Sequence, residues 1–135
     1  MNAVDTNVLI YARDPRDPVK HQVARHLTAA MPDGGLLWQV ACEFIAASRK
    51  LTSVGYTQTQ AWRELKELRE LWTVILPSQN VFVRAERLAA TVKLSFWDAM
   101  IVAACQEAGI ARLYTEDFDA SLSKATGVEI INPFS

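Results

Sequence analysis

The chain has 135 residues, half of them hydrophobic and 21% charged, with a formal net charge of −1 and a pI near 6.1. This is a globular composition with material for one core, so a single domain over residues 1–135 is expected. The near-neutral balance argues against constitutive nonspecific DNA binding, and no apolar run approaches the ~18 residues of a membrane span.

Met1–Val4 reads as a short strand ending at Asp5, and Asn7–Ala12 as one or two helical turns capped by Thr6 or Asn7. No basic leader or cleavage site precedes Asp5, so no signal peptide is expected. Asp17-Pro18 starts a helix to about Ala30, with Asp17 as N-cap and Pro18 in the first turn. Arg13, Arg16, Lys20 and Arg25 gather here as a candidate basic face or as a solvated surface. His21 and His26 are spaced i,i+5, which suits joint metal binding poorly, so both read as surface residues. Pro32-Asp33-Gly34-Gly35 reads as a turn, Leu36–Trp38 as a buried strand and Val40–Leu51 as a helix.

Thr57 caps a predicted helix over Gln58–Leu71, which places Trp62, Leu65, Leu68 and Leu71 or Trp72 on one side. Arg63/Glu67 and Lys66/Glu70 form i,i+4 charge pairs on the other. A strand at Thr73–Leu76 stops at Pro77; helices follow over Ser78–Lys93 and Trp97–Ala108, the second closed by Gly109. Ala111–Thr115 and Val128–Ile131 are the last strands. Cys42 and Cys105 lie in apolar helical stretches and read as reduced core residues, which favours a cytoplasmic location. Short apolar strands alternating with longer helices specify an α/β domain whose mostly parallel sheet is covered on both faces.

The chemistry rests on carboxylates. Asp5 follows a strand, Glu43 interrupts an apolar helix, and Asp98 enters an apolar helix near its N-terminus. Asp117 stands in the acidic turn Thr115-Glu116-Asp117-Phe118, after another strand. Each has an ordinary alternative: a cap at Asp5, an exposed helix position at Glu43, a capping box Ser95-x-x-Asp98, a solvated loop at Asp117. A bare carboxylate beside apolar residues is costly unless paired or bound to metal, and sites in parallel sheets form beyond the strands' carboxyl ends. Converging carboxylates with hydroxyl and amide neighbours suit Mg²⁺ or Mn²⁺ and metal-assisted phosphodiester cleavage. No Gly-rich phosphate loop, nucleophile elbow or zinc set competes.

Four pieces then carry a resemblance. They are Val4–Ala12 with Asp5-Thr6-Asn7-Val8-Leu9-Ile10, Glu43 on an early helix, Ser95–Ala104 with Phe96-Trp97-Asp98-Ala99, and Leu113–Phe118. In this order the chain resembles a PIN-domain ribonuclease of the VapC toxin type. The resemblance implies a three-layer α/β/α fold and a Mg²⁺- or Mn²⁺-dependent endoribonuclease. Asp5, Glu43, Asp98 and Asp117 would form the acidic quartet, with Asn7 and Thr115 in support. It also implies a cognate VapB-type antitoxin and a homodimer, for which the Gln58–Trp72 helix is the candidate face. Two departures are the four residues before Asp5, fewer than the family's usual first strand, and Glu116 beside Asp117, which leaves the fourth ligand open. Trp38, Trp97 and Tyr11 are candidates for stacking on RNA bases, with core packing expected instead. The rival readings are a noncatalytic PIN-like binding module, a solitary RNA-processing nuclease, and a phospho-acceptor domain, for which Lys93 and Lys124 are poorly placed.

Overall fold

In a computed structural model describing residues 1–135, every strand runs parallel to its neighbours, so each return is made by helical chain. The strands are β1 (Asn2–Val4), β2 (Gly34–Leu37), β3 (Thr73–Ile75), β4 (Arg112–Tyr114) and β5 (Glu129–Ile131). The helices are α1 (Thr6–Tyr11), α2 (Pro18–Ala29), α3 (Trp38–Ser48), α4 (Gln58–Leu71), α5 (Gln79–Thr91), α6 (Phe96–Ala108) and α7 (Leu122–Thr126). A 3₁₀ segment over Arg49–Val54 follows α3. The sheet order is β3-β2-β1-β4-β5. The chain winds outward from β1 through β2 to β3, then returns to β1's other edge for β4 and β5. The order therefore reverses between β1 and β4, where an open parallel sheet forms its crevice. This is the α/β/α fold with a central parallel sheet that the alternation of elements predicts.

Local chemistry explains most boundaries. Thr57 and Gln60 form a full capping box at the start of α4, and Asp17 caps α2 with Pro18 behind it. Gly109 ends α6 at φ 70°, a left-handed conformation that disfavours side chains. The N-cap of α1, however, is Asp5, whose carboxylate accepts from the Thr6 amide; neither Thr6 nor Asn7 serves.

Several expectations fail for tertiary reasons. Gly34 and Gly35 belong to β2 and are no turn. A Cβ on Gly34 would lie 2.5 Å from the Trp72 ring, and one on Gly35 2.8 Å from Ile110. The glycines thus admit neighbours to the strand surface. Trp72 fills that space and donates its indole N–H to the Met31 carbonyl at 2.7 Å. On α4 the buried seam is Ala61, Leu65 and Leu68, continued by Trp72. Trp62 and Leu71 each sit one position off that seam and are exposed. On α3 the seam is Val40, Phe44 and Ser48, so Cys42 faces outward while Cys105 is buried. The short helix α7 carries no strong pattern and escapes a sequence reading.

Candidate active site

The floor is built where β1 and β4 end side by side. Val4 pairs with Tyr114, and the Asp5 amide continues the ladder by donating to the Tyr114 carbonyl at 2.8 Å. Asp5 and Thr115 therefore emerge together. Thr115 is fully buried and donates its hydroxyl to Asp5 Oδ2 at 2.8 Å. The same hydroxyl oxygen accepts from the Asp117 amide at 3.1 Å and from Asn7 Nδ2 at 3.3 Å. Asn7 Nδ2 also donates to Asp117 Oδ2 at 3.0 Å. One threonine thus ties together two acidic residues and an amide.

The opposite wall comes from α3 and α6. Thr6 donates its hydroxyl to Glu43 Oε2 at 2.7 Å, and Gln39 Nε2 donates to Glu43 Oε1 at 2.8 Å. Gln39 Nε2 also reaches the Trp97 carbonyl at 3.3 Å, linking α3 to the first turn of α6. Asp98 lies in that turn, where its amide donates to the Ser95 hydroxyl at 3.2 Å. A carboxylate there faces the favourable end of the helix dipole.

The electrostatics mark these groups as a set. Asp5 is 4% exposed. Burial, reinforced by the nearby charges of Asp117 and Glu43, pushes its pKa up to about 6 against the Thr115 and Thr6 hydrogen bonds. Asp98 is also raised, by burial first and then by Asp117 and Glu43, with Ser95 opposing. No ion pair in the molecule involves Asp5, Glu43, Asp98 or Asp117.

Glu116 points elsewhere. It accepts from Lys20 Nζ at 2.9 Å and from the Tyr11 hydroxyl at 2.7 Å. Lys20 in turn lies 4.9 Å from the Tyr11 ring centroid. The basic face over Arg13–Arg25 is mostly closed by acids: Arg13 pairs with Glu64, Arg16 with Asp14 at 2.9 Å and Lys20 with Glu116. Only Arg25 of that group has no ion pair, because each of the others has a carboxylate within reach. His21 is half-buried rather than a free surface residue, with Nδ1 2.8 Å from the Tyr11 carbonyl. Sequence reasoning does not single out Thr6 and Gln39 as site residues, although both bond Glu43. Thr6 stands beside Asp5, and Gln39 lies i,i+4 from Glu43 on one helix face, a spacing that signals contact.

The donor set is all oxygen, which fits a hard divalent cation such as Mg²⁺ or Mn²⁺. One observation speaks directly to this: Asn7 Oδ1 is buried and has no hydrogen-bond partner. Such an orphaned acceptor is costly unless a ligand or cation meets it. No three acidic, histidine or cysteine side chains yet stand at coordination spacing. Thr6, Asn7, Gln39 and Thr115 hold carboxylate oxygens of Asp5, Glu43 and Asp117 in hydrogen bonds, some of which a bound cation would have to displace.

Fold and site together define an open parallel α/β domain with an acidic crevice at its topological switch point. The comparison with known families is specific: the PIN domain model matches residues 3–127, and the chain belongs to the PIN-domain family. Solved structures share the fold. A toxin–antitoxin complex from Klebsiella pneumoniae is 22% identical at TM-score 0.69, covering 100% of this chain and 99% of that one. VapC20 of Mycobacterium tuberculosis, a sarcin–ricin-loop-cleaving toxin, is 19% identical at TM-score 0.67, covering 93% and 95%. VapBC-1 of nontypeable Haemophilus influenzae is 17% identical at TM-score 0.67, covering 99% and 98%. No curated protein matches the sequence significantly.

Proposed function

We propose that the chain is a divalent-metal-dependent endoribonuclease, the toxin of a VapBC-type toxin–antitoxin pair, with residues 1–135 acting as one nuclease domain. The observation that carries this reading is the uncompensated carboxylate set: Asp5, Glu43, Asp98 and Asp117 share a crevice, and no cationic side chain pairs with any of them. A phosphodiester approaching such a site is repelled unless positive charge is brought in. These four residues would hold Mg²⁺ or Mn²⁺, which would supply that charge and the Lewis acidity that activates water. Thr115 orients Asp5, Asn7 orients Asp117, and Thr6 with Gln39 orients Glu43. Glu116 is a support of the acidic loop through Lys20 and Tyr11 and not a ligand. No side-chain nucleophile is required.

The substrate and partner rest on the neighbours. One is named for cleaving the sarcin–ricin loop and two for toxin–antitoxin assembly. They support RNA as substrate and a VapB-type antitoxin as partner. A homodimer is supported by the exposed Trp62 and Leu71 on α4, and gel filtration at about 15 kDa would remove it. No helix is long and apolar enough to cross a membrane, and we place the protein in the cytoplasm.

The test is incubation of total RNA with purified, antitoxin-free protein in Mg²⁺, Mn²⁺ or EDTA. Discrete fragments that need metal are expected, and end mapping gives the target. Absence of cleavage by folded protein with either metal would favour a noncatalytic binding module. An adjacent gene for a small DNA-binding antitoxin separates the toxin from a solitary RNA-processing nuclease.

A further inference from the structure

Two tryptophans are in unexpected places. Trp38 is 50% exposed and Trp97 63% exposed, although an indole ordinarily contributes to a core or interface. Both line one open groove of about 500 Å³, whose lining is mostly apolar and includes Cys42, Leu76 and Met100. That volume lies in the range of small-ligand sites. Two residues connect the groove to the carboxylates: Gln39 lines it while bonding both Glu43 and the Trp97 carbonyl, and Trp97 directly precedes Asp98. Trp97 is held from one side by an edge-to-face contact with Phe96, centroids 4.9 Å apart and planes at 76°.

The charges around the groove decide what it takes. No lysine or arginine lines it, and its one charged residue, Glu107, is neutralised by Arg84 at 2.6 Å. It therefore offers nothing to a phosphate backbone. Nine of the chain's fourteen lysines and arginines form no ion pair, but none of them lines the groove. A nucleotide that reaches it is therefore held there without ion pairing, and base–aromatic stacking is a nonionic contact that tolerates any sequence.

Resting on the endoribonuclease reading, we infer that the Trp38–Trp97 groove is a nucleobase subsite that receives an unpaired base next to the phosphate held at Asp5, Glu43, Asp98 and Asp117. The subsite selects single-stranded or looped RNA, because a base must leave its duplex stack to enter. A protein segment or a second copy of this chain is the competing occupant, and neither would make RNA affinity depend on the two tryptophans.

The test uses the full chain carrying Asp98→Asn, so that RNA is bound but not cut, in Mg²⁺. A short single-stranded oligoribonucleotide of mixed sequence is titrated, followed by anisotropy and by quenching of tryptophan fluorescence. Trp97→Ala and Trp38→Ala are each expected to weaken binding on the order of tenfold, Trp97→Phe to retain most of it, and Phe82→Ala on α5 to change nothing. An RNA with abasic sugars around the scissile position should bind the parent as weakly as the alanine variants bind intact RNA. Unchanged affinity in both alanine variants, from folded protein, would overturn the subsite. So would a switch from dimer to monomer with RNA affinity intact, which would make the groove an interface between copies. If wild type neither cuts nor binds any RNA, the nuclease reading fails, an outcome distinct from a binder indifferent to its tryptophans.

Discussion

Asp5 and Asp98 stand in the same crevice with the same charge and are both raised in proton affinity, yet they are held in opposite ways. Asp5 sits at the junction of β1 and β4, buried, with both carboxylate oxygens engaged by Thr6 and Thr115. Asp98 sits half-exposed on the first turn of α6, where its amide donates to the Ser95 hydroxyl and its carboxylate has no partner but the same local Ser95. The first corner is part of the fold's hydrogen-bonded floor; the second is a side chain presented on a helix end. Under the proposed function, chemistry and stability are therefore coupled at Asp5 and separable at Asp98.

The largest expected effect exploits the separable corner. Asp98→Asn should lower RNA cleavage on the order of 10³-fold, about 4 kcal/mol of barrier, while its urea midpoint equals or slightly exceeds that of wild type, since a repelling charge is removed. A collapse of both together would show that Asp98 is structural as well. At the coupled corner, Thr115→Val keeps the volume but deprives Asp5 Oδ2, Asn7 Nδ2 and the Asp117 amide of one shared partner. Urea unfolding should show a loss of about 2 kcal/mol, and cleavage should fall with it. A neutral result would mean that these groups are satisfied without the hydroxyl.

Next in size is a pH effect. The folded pKa of Asp5, about 6, lies above its ordinary 3.8. The folded state therefore holds the proton more tightly, and stability is greatest below the unfolded value and is lost as pH rises through 6. Of a total near 3 kcal/mol, roughly 1 kcal/mol should disappear between pH 5 and 7 in EDTA. The Asp5→Asn variant should lack this slope, and saturating Mg²⁺ should flatten it by neutralising the charge. A slope of the same size in the variant would assign it to other groups. Smallest of all, Ser95→Ala removes the exposed cap of α6 and should cost about 0.5 kcal/mol in thermal or urea melts. Any drop in cleavage beyond that would show that the first turn must be held for Asp98 to act.

What the sequence discloses follows the range of the interactions involved. The caps of α2, α4 and α6 are readable because capping is settled within a few residues. The strand ends at Asp5 and Thr115 are readable because apolar runs stop there. Gly34-Gly35 reads as a turn because nothing nearby in sequence announces the Trp72 ring that occupies the space above the strand. Trp38, Trp97 and Cys42 read as core for the same reason: which side of a helix is covered depends on distant elements. Within the site, the residue types were legible but their partners were not. The hydroxyl of Thr6 meets Glu43, thirty-seven residues away, and Glu116 leaves the acidic turn for Lys20, ninety-six residues away. Adjacent carboxylates in one loop can be divided between two jobs only by a fold that brings a cation to one of them.

The central claim is that the crevice is a cation site. The most direct measurement is a crystal structure of the protein soaked in Mn²⁺, with data collected for its anomalous signal. A peak is expected between Asp5, Asp98 and Asp117, with Asn7 or Glu43 adjoining directly or through water. Saturating Mn²⁺ with no peak in the crevice, or with peaks only at surface carboxylates elsewhere, would contradict it.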